Sequence, residues 1–93
     1  MKVVWTDAAL ADLDNALAYT AEQYPSLVGP LEVRIRAVLA RIGRWPESAR
    51  TVDDQPEIRV VPLLRFPYRI FYLVADGRVE ILHMHHASRD DQS

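Results

Sequence analysis

Three histidines fall within four positions near the end of the chain, His83, His85 and His86, in the run VEILHMHHASR, and there are no others. Imidazoles titrate near neutrality, move protons and ligate borderline metals, so such a cluster is the first place to look for chemistry. Arginines are the second place: there are ten, against a single lysine at Lys2. A planar guanidinium suits bidentate contact with carboxylates and phosphates, although GC-rich codon usage produces the same bias. Arg59, Arg65, Arg69 and Arg89 share the C-terminal part of the chain with the histidines. Cysteine is absent, which excludes disulfide frameworks and cysteine-based zinc sites.

What the histidines can do depends on which face of a strand each ring occupies. Runs at 67–74 (PYRIFYLV) and 78–85 (RVEILHMH) favour strands, and Asp76–Gly77 between them is a strong hairpin signal. A two-residue turn there pairs Ala75 with Arg78 and sets the remaining register. Tyr72 then lies opposite Ile81, Ile70 opposite His83 and Tyr68 opposite His85. On the other face Leu73 meets Glu80, Phe71 meets Leu82 and Arg69 meets Met84, with His86 just beyond. Alternation sends His83 and His85 one way and His86 the other, so three rings cannot converge on one ion. A His83/His85 pair would need ligands from elsewhere in the chain. No metal site and no cofactor are expected, and the two rings are read as polar contacts at the sheet rim. His86, sharing a face with Arg69, is the candidate for function.

The same register divides the apolar residues. Tyr68, Ile70, Tyr72, Val74, Val79 and Ile81 read as a floor beneath other elements. Phe71, Leu73, Leu82 and Met84 fall on the opposite face, which a merely solvated surface does not need. A contiguous apolar patch of this kind points to a protein partner.

The elements that must position these residues come earlier. Ninety-three residues with 49% hydrophobic and 26% charged content make one soluble globular domain, 1–93. A net charge of −2 is no nucleic-acid footprint. No apolar run approaches the ~20 residues of a membrane span, and no signal peptide is visible, so cytoplasmic residence is expected. KVVW opens the chain as a short strand, and Thr6 can cap a helix over 7–22 whose apolar line is Leu10, Leu13, Leu17 and Ala21. Asp12, Asp14 and Glu22 read as its solvated side. Pro25, Gly29 and Pro30 break the pattern. A second helix over 28–44 presents Leu31, Ile35, Val38 and Ile42, with Gly43 and Pro46 closing it. Trp5 and Trp45 read as structural, the first under the helices and the second at the end of the second helix. A fourth strand-like run spans 58–64, after the polar stretch ESARTVDDQPE. The expected fold is α+β in two layers, a helical hairpin on an antiparallel sheet, in the order β-α-α-β-β-β.

Three blocks, VVWTDAALADLDNALAY, LLRFPYRIFYLV and VEILHMHHASRD, give the chain a resemblance to toxins of the RelE/ParE superfamily, the toxic halves of bacterial type II toxin–antitoxin pairs. The middle signature is met by Pro67, Tyr68, Ile70 and Tyr72, the terminal His-x-x-Arg by His86 and Arg89, and the arginine before the first hairpin strand by Arg59. The likeness covers nearly the whole chain. It implies a cytoplasmic toxin, of the kind found in plasmid stabilisation, held inactive by a cognate antitoxin whose C-terminal segment wraps around it. Phe71, Leu73, Leu82 and Met84 are then the antitoxin-binding candidates. ParE-like members poison DNA gyrase by protein–protein contact, without being enzymes. RelE-like members enter the ribosome and cleave mRNA. Cleavage calls for cations around a scissile phosphate together with a general acid and base. The near-absence of lysine, the negative net charge and the terminal RDDQS favour the ParE-like reading, with Arg69, His86 and Arg89 as target-binding candidates. The alternative is a ribosome-dependent endoribonuclease using Arg59, Arg65, Arg69, His86 and Arg89. A non-toxic binding adaptor of the same fold is the third reading. A homodimer and a toxin–antitoxin hetero-oligomer are both left open.

Overall fold

The computed structural model describes residues 1–87. Strand β1 (Lys2–Trp5) leads into helix α1 (Asp7–Gln23), a single 3-10 turn (Pro25–Leu27) and helix α2 (Val28–Arg44). Strands β2 (Arg50–Val52), β3 (Gln55–Pro62), β4 (Tyr68–Ala75) and β5 (Arg78–His86) follow. They form one sheet in the order β1-β5-β4-β3-β2, and both helices contribute to a single core on one of its faces. The two-layer α+β fold is as expected, with two additions. β1 lies parallel to β5, so the sheet is mixed rather than wholly antiparallel. The helical hairpin and the β2–β4 meander together supply the long crossover that a parallel pair requires. β2 arises inside the stretch read as loop; its three residues are too few and too polar to show alternation.

The helices show what positions the sheet. Thr6 caps α1, its hydroxyl accepting from the Ala9 N–H at 3.2 Å. α2 buries Leu31, Ile35, Val38 and Ile42, the stripe read from its periodicity. α1 does not bury the line of leucines. Ala9, Ala16 and Thr20 are buried, Leu13 and Leu17 are partly so, and Leu10 and Ala21 are exposed. Small residues at the contact let α1 settle close to β5, and the buried Thr20 hydroxyl is satisfied by the Ala16 carbonyl at 2.8 Å. Gly43 does the same for α2, since a Cβ there would lie 3.1 Å from both the Met1 carbonyl and the Val3 Cγ2. The amino terminus donates to the Gly43 carbonyl at 2.8 Å, joining the end of α2 to β1. Trp5 packs against the core. Trp45 ends α2 through its own N–H to the Arg41 carbonyl at 2.7 Å, but its ring is exposed, with the Arg44 guanidinium 4.9 Å above it.

The β4–β5 hairpin turns where expected. Asp76 (φ 54°) and Gly77 (φ 73°) both take left-handed backbone, as a type I′ turn requires, and Ala75 pairs with Arg78. The predicted register holds as far as Tyr72 opposite Ile81 and then shifts by one, Phe71 pairing with His83. β5 carries one extra residue, Leu82, as a bulge. Every pair beyond it departs from expectation: Ile70 faces Met84, Arg69 faces His85, and Tyr68 faces His86. Met84 consequently turns inward, 4% exposed within the core, and leaves the outer apolar face to which its parity had assigned it. The inner floor is otherwise as read, except that Val74, near the turn, is exposed.

Candidate functional site

The bulge sits where β5 loses a neighbour. β1 reaches only as far as the Trp5–Ile81 pair, so beyond Ile81 one edge of β5 has no strand beside it among the described residues. Unpaired edge groups need partners, and α1 supplies them. Thr6 donates its N–H to the Ile81 carbonyl at 3.1 Å, and its hydroxyl lies 2.8 Å from that oxygen and 3.3 Å from the Leu82 carbonyl. One turn and a half further along α1, Asp12 Oδ2 accepts the Met84 N–H at 3.0 Å and lies 3.2 Å from His83 Nδ1. A capping hydroxyl and one carboxylate thus stand in for the missing strand.

This open end gathers the histidines in two directions. His83 and His85 share the outer side, their rings 4.8 Å apart, and His85 also lies 5.4 Å from the Phe71 ring. His86 turns to the inner side and meets Tyr68 edge-on at 5.3 Å. The split of the three rings is as read from the strand, but the partners are exchanged. His86 does not share a face with Arg69, because the bulge gives that place to His85. A cleft of about 590 Å³ opens here, lined by Asp12, Asn15, Tyr19, Tyr68, His85 and His86 among others. Asp12 escaped the sequence reading. It is 71 positions from His83 and belongs to a helix side that the leucine spacing marks as solvent. Its only signal is its place between Ala9 and Ala16, the two alanines that prove to be buried.

Among the described residues, the arginines do not collect around His86. Arg59, opposite Tyr72, donates to the Ala49 and Glu47 carbonyls at 2.7 and 3.2 Å. The Tyr72 hydroxyl donates to the Pro46 carbonyl at 2.7 Å, and the pair pins the loop after α2 across the sheet. Burial pushes the Tyr72 hydroxyl above its ordinary pKa, offset in part by the Arg59 charge and by a hydrogen bond with the Ala49 backbone. Four residues of β4, roughly 13 Å at strand spacing, separate this arrangement from the Tyr68–His86 pair. Arg65 is exposed in the Leu63–Phe66 turn with φ 77°, a left-handed conformation that costs a side-chain-bearing residue about 1–2 kcal/mol. Arg69 extends on the outer face, its guanidinium 6.0 Å from the Phe71 ring. Arg89 lies outside the described residues.

On that outer face Phe71, Leu73 and Leu82 are half-buried. They are joined by two residues that sequence reasoning left unassigned: Ile58 opposite Leu73, and Val60 opposite Phe71. Val60 is only 3% exposed although it lies outside the main core, so this face holds a small apolar cluster of its own. Their spacing of two in EIRVVP, set against the alternation in β4, was the available signal.

The family model described as ParE toxin of type II toxin-antitoxin system, parDE, matches residues 3–91. Toxin RelE2 of Caulobacter vibrioides is 36% identical over 89 residues, covering 95% of this chain and 97% of that protein. A solved structure described as the chromosomal ParDE TA system from P. aeruginosa has the same fold, with a TM-score of 0.77 over 92% of this chain and 95% of the other. At 22% identity, that likeness concerns the fold alone.

Proposed function

The chain belongs to the ParE toxin family of type II toxin–antitoxin systems, and from that premise we propose that it acts by protein–protein contact on DNA gyrase rather than by cutting RNA. As a toxin of this family it has a cognate antitoxin. The observation that carries the gyrase reading is the lining of the cleft at His86. Among the described residues that line it there is no lysine or arginine, and one is Asp12. A cleaving site must neutralise a phosphate that gains charge in the transition state. This cleft offers a carboxylate, two tyrosines and two imidazoles but no guanidinium or ammonium, while Arg59 is committed to backbone carbonyls at a distance. Inhibition by contact has no such requirement.

In this reading the open end of the hairpin faces the target, with His86 and Tyr68 on the inner side and Arg69 on the outer side; Arg89 is a target-binding candidate from the sequence alone. The antitoxin's covering segment lies on the outer face over Phe71, Leu73 and Leu82, with Ile58 and Val60 extending the patch. Met84 is no part of that surface. Both partners belong to the cytoplasm, and no helix among the described residues is long and apolar enough to cross a membrane.

One observation favours a second reading, ribosome-dependent cleavage of mRNA. His85, His86 and Tyr68 line one cleft, and imidazole and phenol groups are capable of general acid–base work. The two readings part in a direct assay of purified toxin against gyrase supercoiling and against mRNA on programmed ribosomes. Inhibition of supercoiling with intact mRNA is expected. Ribosome-dependent cleavage with gyrase unaffected would install the second reading.

A further inference from the structure

We propose that Asp12, His83 and His85 form a binding site for a divalent first-row transition metal such as Zn²⁺. A pair of strand histidines needs a ligand from elsewhere, and the docking of α1 on β5 provides it. Among the described residues, one ligand atom from each of the three side chains falls within 4.8 Å of the others. Around a metal bound at about 2.0–2.2 Å, tetrahedral ligand atoms stand roughly 3.3–3.6 Å apart, so closure needs a contraction of at most about 1.5 Å. The Asp12–His83 contact, at 3.2 Å, is already at that spacing. The rings of His83 and His85, residues i and i+2 on one side of β5, lie 4.8 Å apart at 39°. The His83 side chain is 47% exposed, so solvent rather than core packing bounds its outer side.

Two further features suit the site to a metal. The Met84 N–H donates to Asp12 Oδ2 at 3.0 Å, which fixes the carboxylate's orientation as hydrogen bonds to metal ligands do in metalloproteins. The backbones that carry the ligands are firm, a helix and a strand joined through Thr6 and Asp12. Two imidazoles and one carboxylate suit Zn²⁺, Ni²⁺ or Cu²⁺, whereas Mg²⁺ and Ca²⁺ prefer oxygen donors throughout. With three protein ligands a fourth position stays available to water or to a partner's side chain. The bound ion replaces the Asp12–His83 contact with a bridge from α1 to the open edge of β5, beside the cleft at His86. His86 takes no part, because alternation along the strand sets it on the opposite side from His83 and His85.

The test is calorimetric titration of the tag-free full chain with Zn²⁺ alone, read together with the thermal midpoint and the imidazole NMR signals. One equivalent is expected to bind, raising the midpoint and shifting the ring resonances of His83 and His85 but not those of His86. Asp12→Asn and His85→Gln are expected to weaken binding at least tenfold each, while His86→Gln leaves it unchanged. Asparagine keeps an acceptor for the Met84 N–H, and circular dichroism checks that each variant is folded. Absence of saturable binding by Zn²⁺, Ni²⁺ and Cu²⁺, or binding that survives His83→Gln, overturns the assignment. Neither outcome depends on whether gyrase or the ribosome is the target.

Discussion

The β4–β5 ladder has two halves built for different purposes. Toward the Asp76–Gly77 turn, pairs run in simple register, β5 is flanked by β4 and β1, and Tyr72, Val79 and Ile81 point into the core. Away from the turn, past Leu82, β1 has ended, the register has slipped by one, and the edge of β5 is served by Thr6 and Asp12. All three histidines belong to this second half. The closed half secures the fold through buried apolar area. The open half spends its backbone groups on side-chain partners and so holds titratable groups near a cleft. A bulge lets one strand do both, because it re-aims side chains without ending the sheet.

The contrast is broken most strongly from the closed half. Ile81→Ala removes a fully buried side chain and is expected to cost about 2–5 kcal/mol, seen as an early midpoint in urea unfolding. His83→Ala in the open half, where the ring is half exposed, should cost under ~1 kcal/mol. Similar losses for the two variants would mean that both halves are core. Next in size is the outer face. Phe71→Asp should weaken the antitoxin complex about a hundredfold, or ~2.7 kcal/mol, and destabilise the isolated chain by less. Titration calorimetry and denaturation of the same variant separate the two effects, and equal losses would make Phe71 a purely structural residue.

Asp12 sharpens the comparison on a smaller scale. Asp12→Ala leaves the Met84 N–H without its acceptor and should cost about 1–2 kcal/mol, whereas Asp12→Asn should cost less than half of that. Amide exchange at Met84 should accelerate in the alanine variant while exchange at Ile81 holds; a uniform change along β5 would contradict the separation of the two halves.

The smallest effect is alkaline and belongs to the closed half. The folded state holds Tyr72 above its ordinary pKa, chiefly through burial, so at high pH the unfolded chain releases this proton more readily than the folded one. Unfolding is therefore favoured as pH rises. The contribution is intact below the unfolded tyrosine value of about 10 and is lost as pH climbs from there through the raised folded value. Tyr72→Phe, although it gives up the bond to Pro46, should unfold with a shallower dependence above pH ~10. An unchanged slope would show that Tyr72 does not titrate with unfolding.

Much of this was legible in the residues, and the failures share a cause. The stripe of α2, the Thr6 cap, the type I′ turn and the register up to Ile81 all follow from local spacing and turn chemistry. The bulge does not, because no glycine marks it and its origin is remote: β1 stops at Trp5, and α1 supplies the partners that follow. Met84 changed faces for that reason, and His85 and His86 exchanged partners across the strand. α1 misled differently. Its leucines drew the apolar line, whereas the contact selected Ala9 and Ala16 for close approach, and Asp12 between them came with it. The residues nearest the candidate site were thus the hardest to place, since their positions depend on contacts between the two ends of the chain.

The most direct measurement is the dose–response of gyrase supercoiling to the wild-type toxin and to His86→Gln, run beside mRNA cleavage on programmed ribosomes. If the open end works by contact, no proton moves, and glutamine, a polar side chain of similar reach, should shift gyrase inhibition by a few-fold at most. Cleavage of mRNA that falls by about 10²–10⁴ in the variant, the usual contribution of a general acid or base, with gyrase untouched by either protein, would contradict the proposal.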